Sequence, residues 1–431
     1  MDIALPLVML LVLLLAGMPI GFALLVTGAL GISLVASPDT MLGVLQTLPY
    51  RSTTSYSLVT IPMFVLMANF ITKGGLGRDI FESLRQWTGR LPGGSVIATI
   101  YASAGLGAIC GSSAAAASTM GQVAIPELKR QGYSPALSVG AVAVAGTLAI
   151  MIPPSTGLIF YAILTEQSIG AMLIAGIVPG LIMALALSAG VLAWAIPGQR
   201  RGTIPRGTAF SLKQKLYSSR LLWPFVVLIV AIVGGIYFGV VSAIEASALG
   251  AAISLLMLVL LRRITWPEMV HGIKDTVYVT TMIYIIILGA HAFGQFLSMS
   301  RVPSRMLEAL TTAGLGRWTV MLLILLAVLV MGFFMDQLAI LSLSLPLIFP
   351  VIMELGFDPI WFGIVMILLA EIGLVTPPMG LNVFVAAGAA NEPVEVGFRG
   401  IWPFVGIMFA VLALLLLVPD IATFMVPADL S

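Results

Sequence analysis

The chain has 431 residues, of which 60% are hydrophobic and only 9% charged, with 20 Lys and Arg against 18 Asp and Glu. An ordinary soluble domain carries about 25% charged residues, so a soluble enzyme, a disordered chain and a nucleic-acid binder are excluded. Long unbroken apolar runs also exclude a membrane β-barrel, whose strands alternate over ~10 residues. The net charge of +2 says nothing about partners, and a single cysteine, Cys110, leaves no internal disulfide and no thiolate cluster. A polytopic, all-α membrane protein remains.

Residues 3–36 form one apolar run of 34 residues. At 1.5 Å per residue it is about 51 Å long, against a hydrocarbon core of about 30 Å. It therefore divides at Gly17-Met18-Pro19 into two short spans. Asp2, and the lack of any Lys or Arg before Arg51, argue against a cleavable signal peptide. Further spans read at about 56–72, 136–165, 172–196, 221–241, 243–261, 276–297, 360–389 and 401–419. Stretches 73–90 and 298–317 carry amphipathic charge and read as interfacial arm helices. Ser242 followed by Glu245 forms a capping box, a structural signal. The polar segment 198–220 is the only linker of any length, and no extramembrane domain is expected.

Two apolar stretches do not fit as crossings. Residues 95–126 break at Gly111-Ser112-Ser113, and residues 319–350 break at Met335-Asp336-Gln337. Each arm has ~12–15 residues, too few to span, which predicts two re-entrant hairpins. Spans 136–165 and 360–389 carry Pro153-Pro154 and Pro377-Pro378 in mid-course. Two prolines delete two backbone donors and clash with the preceding turn, so each helix must break there.

An internal repeat ties these features together. Pro126, Gly132, Tyr133, Pro135 and Pro153-Pro154 recur 224 residues later as Pro350, Gly356, Phe357, Pro359 and Pro377-Pro378. Gly89-Arg90 recurs at 227 as Gly316-Arg317. The halves are 1–197 and 221–431. Counting ten spans, five per half, an odd number, the second half must be inverted. With the N-terminus outside, 16 Lys and Arg fall inside and four (Arg51, Arg301, Arg305 and Arg317) fall outside, a bias that fits an inverted repeat with both termini outside. The acidic tail residues Asp420 and Asp429 fit that side.

Inverted repeats with paired broken helices are the layout of secondary transporters. An unwound segment in mid-membrane leaves backbone groups unpaired, which hydrocarbon does not tolerate, so ions, substrate or water must satisfy them. Carbonyls and hydroxyls suit a hard monovalent cation, and helix N-termini suit a carboxylate. Candidate ligands are Gly111, Ser112 and Ser113 at the first tip, and Asp336 at the second. At the breaks Pro153, Pro154, Pro377 and Pro378 shape the backbone, and Ser155, Thr156, Gly157, Thr376, Gly380 and Asn382 supply groups. Competing structural readings exist. Asp336 could cap a helix, Ser112 and Ser113 could serve close helix packing, and Asn382 could cap the second half-helix. Glu371 could pair with a backbone donor or serve as gate or proton relay. His271, His291 and Cys110 suggest no ligand.

These motifs resemble the large membrane subunit of the TRAP (tripartite ATP-independent periplasmic) transporters. The segments concerned are Ile152 to Gly157, Thr376 to Asn382, Cys110 to Ala115, Gly332 to Asp336, and Ser242-Ala243-Ile244-Glu245-Ala246, where that family more often has Thr-Pro-Thr-Glu-Ala. The resemblance covers essentially the whole chain. It implies a bacterial or archaeal inner-membrane permease that imports an organic acid with a sodium gradient by an elevator motion. From the residues themselves, sodium is expected near Ser112, Ser113 and Asp336, with substrate contact open for the serines and gating or a proton relay open for Asp336. The resemblance also implies a separate small four-helix membrane subunit and a periplasmic substrate-binding protein. The alternative is a standalone sodium- or proton-coupled dicarboxylate carrier. An intramembrane protease lacks a nucleophile–base pair or a second membrane aspartate. A passive channel needs no matched broken helices. Without a P-loop, no nucleotide drives the protein directly.

Overall fold

The computed structural model describes residues 3–427 apart from Arg206. Asp2, Arg206 and Asp429, which entered the charge reading, lie outside the described residues. Among the described residues all regular structure is helical. Seven helices are long and apolar enough to cross a membrane, and a bent pair makes an eighth. Five shorter apolar helices of 10–17 residues accompany them.

The first apolar run divides into helices Ala4–Leu15 and Ile20–Val35, with Gly17 in the left-handed region at φ +81° and Pro19 at the next helix's N-cap. A further helix, Pro38–Thr53, follows, where the sequence suggested no element. Its start is well marked: Ser37 accepts the Thr40 N–H, and Pro38 occupies the first turn, where no donor is needed. Its mixed polarity hid it from a reading based on apolar runs.

Three boundaries move. Helix Ile169–Arg200 runs into the expected linker 198–220, which also holds helix Leu212–Ser219 behind a Ser211–Gln214 capping box. Residues Leu212–Tyr237 then continue as one 26-residue stretch with a π-helical turn at Val230–Gly234. Helix Trp266–Met299 starts ten residues before the expected 276, behind a capping box of Thr265 and Glu268. The two arms are the short helices Leu76–Thr88 and Val302–Thr312.

Ion pairs fasten the first arm. Arg85 reaches Glu82 at 2.8 Å and Glu127 at 3.3 Å, and Asp79 pairs with Arg263. Burial alone would raise the Glu127 pKa. Hydrogen bonds from Arg130 and Gln131, and the charges of Arg85 and Arg130, outweigh it and hold the carboxyl below its ordinary value. A carboxylate depressed in the folded state stabilises above its unfolded pKa, about 4.3, and loses that contribution as pH falls through the folded value. The unfolding midpoint should therefore be flat from neutral pH to about 5 and decline below it. In Glu127→Gln the decline should be shallower, by up to about 1 kcal/mol for this partly exposed pair. Identical profiles for both proteins would remove Glu127 from the account.

Two sets of helices pack in a related way. In the first half, helices Gly94–Cys110 and Ser113–Arg130 both pack on Pro135–Met151. In the second half, Arg317–Gly332 packs on Pro359–Val375. The trailing helices then cross between halves: Ser113–Arg130 lies on Leu381–Ala389, and Gln337–Glu354 lies on Thr156–Leu164. A separate group brings Ile20–Val35 and Thr60–Lys73 onto Trp266–Met299, and Ala243–Leu260 onto Thr60–Lys73. Small residues allow the tightest approaches. A Cβ on Gly107 would fall 2.2 Å from the Ala149 backbone, and one on Gly140 2.5 Å from that of Gly400.

Candidate functional site

Four breaks interrupt the packed helices, and three restart on a side-chain cap. Ser112 accepts the Ala115 N–H at 3.4 Å, Ser155 the Leu158 N–H at 3.3 Å, and Asp336 Oδ1 the Ala339 N–H at 2.7 Å. The fourth restarts at Gly380, with φ +54°. Both Pro-Pro bonds, Pro153-Pro154 and Pro377-Pro378, are cis. At the first of them the helix axis turns by 45°.

The first tip sits directly on the first break. The Gly111 carbonyl accepts both the Thr156 N–H, at 3.3 Å, and the Thr156 hydroxyl. Gly111 has φ +60°, and a Cβ there would lie 2.9 Å from the Thr156 nitrogen. The second pair of helices reaches the same place. A Cβ on Gly157 would fall 2.6 and 2.8 Å from the amide atoms of Gln337 and would push that amide from its place.

Two residues along from Gly111, the Ser113 hydroxyl donates to Glu371 Oε1 at 3.3 Å. Glu371 lies inside helix Pro359–Val375 and is 0% exposed. Asn382, also 0% exposed, lies beside it. Glu371 Oε2, both amide atoms of Asn382 and the Gln337 nitrogen make no well-formed hydrogen bond, although Asn382 stands close enough to Glu371 to interact with it. A buried polar atom left unsatisfied costs about 1–3 kcal/mol, so four of them together mark a place built to receive something. Gly111 and Ser113 stand at most about 7 Å apart on the chain, so the two clusters adjoin.

Ser113, Glu371, Asn382, Gly111, Thr156 and Gly157 are therefore brought together. Ser112 and Ser155 serve as caps at its edge, and Pro153 and Pro154 shape the adjoining bend. Others stand apart. Asp336 is an exposed helix cap, and no hydrogen bond or ion pair joins it to Ser113, Glu371 or Asn382 among the described residues. The Thr376 hydroxyl donates back to the Ile372 carbonyl of its own helix, and Pro378 is exposed. Ser242 and Glu245 close a reciprocal capping box, with the Ser242 N–H donating to Glu245 at 2.8 Å.

Two features were missed in the sequence. Gln337 is neutral and stands beside a more conspicuous aspartate. His291 is not isolated: its Nδ1 meets Ser52 Oγ at 3.0 Å, at a cavity of about 360 Å³ also lined by Arg51, Glu166 and Gln167. Ser52 lies in the last turn of helix Pro38–Thr53, which has no apolar run to reveal it, so nothing pointed to the pair.

A helical membrane protein with two paired helix breaks and orphaned polar atoms between them belongs, by layout, with the membrane permeases. A family model described as "Tripartite ATP-independent periplasmic transporter, DctM component" matches residues 7–421. The chain belongs to that family: it is a TRAP transporter large permease subunit. Similar proteins include the C4-dicarboxylate TRAP transporter large permease protein DctM of Pseudomonas aeruginosa, 34% identical with 92% of each chain covered. The protein of the same name from Vibrio cholerae is 32% identical over 99% of this chain and 97% of its own. The sialic acid TRAP transporter large permease protein SiaM of Vibrio cholerae is 30% identical over 95% and 94%. Among solved structures, the YdaH transporter of Alcanivorax borkumensis matches with a TM-score of 0.65 over 91% of both chains. At 12% identity that likeness speaks for the fold alone.

Proposed function

We propose that this chain is the membrane carrier of a three-part importer that moves an organic acid across the bacterial inner membrane with sodium, and that it is not an enzyme. The observation that carries the reading is the fully buried Glu371, held on one oxygen by Ser113, with the other turned toward a neighbouring Asn382 that makes no well-formed hydrogen bond. A carboxylate oxygen, an amide oxygen and a hydroxyl form a hard oxygen set, the kind a monovalent cation takes at broken helices. The amide N–H groups of Asn382 and Gln337 are left to face an anion. Sodium thus falls beside Ser113, with Glu371 in the part first assigned to Asp336.

The inverted halves, the external termini and an elevator motion complete the reading. In it, the two tip-forming pairs and two broken helices move as one body against helices Ile20–Val35, Thr60–Lys73 and Trp266–Met299. A small membrane subunit and a periplasmic binding protein complete the machine. One similar protein, the isethionate permease DctMQ of Oleidesulfovibrio alaskensis, is covered by this chain over only 61% of its length.

The test is reconstitution in vesicles with the small subunit and the binding protein. Uptake of a labelled C4-dicarboxylate or sialic acid should follow an inward sodium gradient and fail with an equal potassium gradient. Equal uptake on both would overturn sodium coupling. Uptake without the binding protein would favour the standalone carrier instead.

A further inference from the structure

Between the N-terminal helix and the second pair of helices lies an apolar cleft of about 450 Å³. Helix Val302–Thr312 gives it Val302, Met306 and Leu310, one stripe at i, i+4 and i+8. Leu7 and Leu10 close it on the N-terminal side, and helix Arg317–Gly332 runs along it from Val320 to Met331, about 16 Å at 1.5 Å per residue. The cleft is long and almost wholly hydrocarbon.

Leu7 also lines a second cavity, of about 710 Å³, so the two adjoin at that residue. This one is polar at its rim. Arg301 and Arg305 line it, with Met299 and Ser300. Both arginines are exposed, and neither pairs with a carboxylate among the described residues. They flank the first turn of helix Val302–Thr312, where the dipole and free N–H groups also favour negative charge.

We propose that a glycerophospholipid binds here, with an acyl chain in the cleft and its phosphate on Arg301 and Arg305. The lining chooses the occupant: hydrocarbon along the cleft and two arginines at one end. A single hydrocarbon chain fits such a slot, and the two unpaired guanidinium groups stand where a headgroup phosphate would. Charge-assisted contacts to phosphate are the strong kind, and Arg is the residue suited to them. The proposal does not rest on the transport reading.

The experiment compares wild-type protein with the double variant R301Q/R305Q, after purification in mild detergent. Lipid extraction and mass spectrometry should find one tightly retained phospholipid in the wild type and a several-fold loss in the variant. After delipidation, phosphatidylglycerol should raise the wild-type unfolding midpoint by several degrees, and inorganic phosphate should not. Ala327→Phe, which fills the cleft away from the arginines, should abolish retention while Arg301 and Arg305 stay intact. Equal lipid retention in wild type and double variant would overturn the proposal. So would an equal shift from inorganic phosphate, or efficient cross-linking of Met306→Cys to the small membrane subunit in the assembled complex.

Discussion

Glu371→Gln should reduce sodium-driven uptake by roughly 10- to 100-fold at limiting sodium, with normal membrane insertion. The variant keeps the shape and the partner for Ser113 but removes the charge. A contact to a charged group is worth about 1.5–3 kcal/mol, and each 1.4 kcal/mol is tenfold. The same variant should lose any sodium-specific rise in thermal midpoint, because a cation that binds only the folded state stabilises it by mass action. Asp336→Ala is the informative comparison. It removes a helix cap, for about 1 kcal/mol of stability, and should leave sodium dependence in place. If instead Asp336→Ala abolished sodium dependence and Glu371→Gln kept it, the cation site would move to the second tip.

Gly373→Ala should be a damaging single methyl beside the candidate site. Its Cβ would fall 2.6 Å from the Gly332 Cα and 2.7 Å from the Gly332 carbonyl carbon. These are backbone atoms, so no side chain can swing aside. The two helices must separate next to Glu371, two residues away. Overpacking of this sort costs about 1–3 kcal/mol and more where the backbone is rigid. Gly406→Ala is the control, since nothing lies within 4 Å of its added Cβ. There the helix-propensity gain of up to about 1 kcal/mol should act unopposed. Thermal midpoints of both purified variants decide the matter, and equal midpoints would refute the close contact.

Much of the architecture was legible because it is written in local punctuation. The double prolines stop a helix wherever they stand, Gly17-Met18-Pro19 divides an overlong apolar run, and Gly111 to Ser113 marks a turn among small residues. What escaped was either not apolar or not local. Helix Pro38–Thr53 escaped a search for apolar runs, although Ser37 and Pro38 signal its start. Asp336 drew attention as a carboxylate in an apolar stretch, but it falls where the chain turns, so it caps. Glu371 stands inside a helix that is buried at every residue from Ile360 to Val375, and one sequence cannot tell such a site from a turn. Its partner Ser113 is 258 residues away, and no spacing rule spans that distance.

The crossing of trailing helices between the halves has a consequence for how the protein is made. Residues Ser113–Arg130 are synthesised long before Leu381–Ala389, yet they rest against each other in the finished molecule. Until the last third of the chain enters the membrane, Ser113 has no Glu371 and Thr156–Leu164 has no Gln337–Glu354 to lie on. The first half therefore waits, inserted but unfinished, and the polar heart of the protein closes only when the ribosome is nearly done.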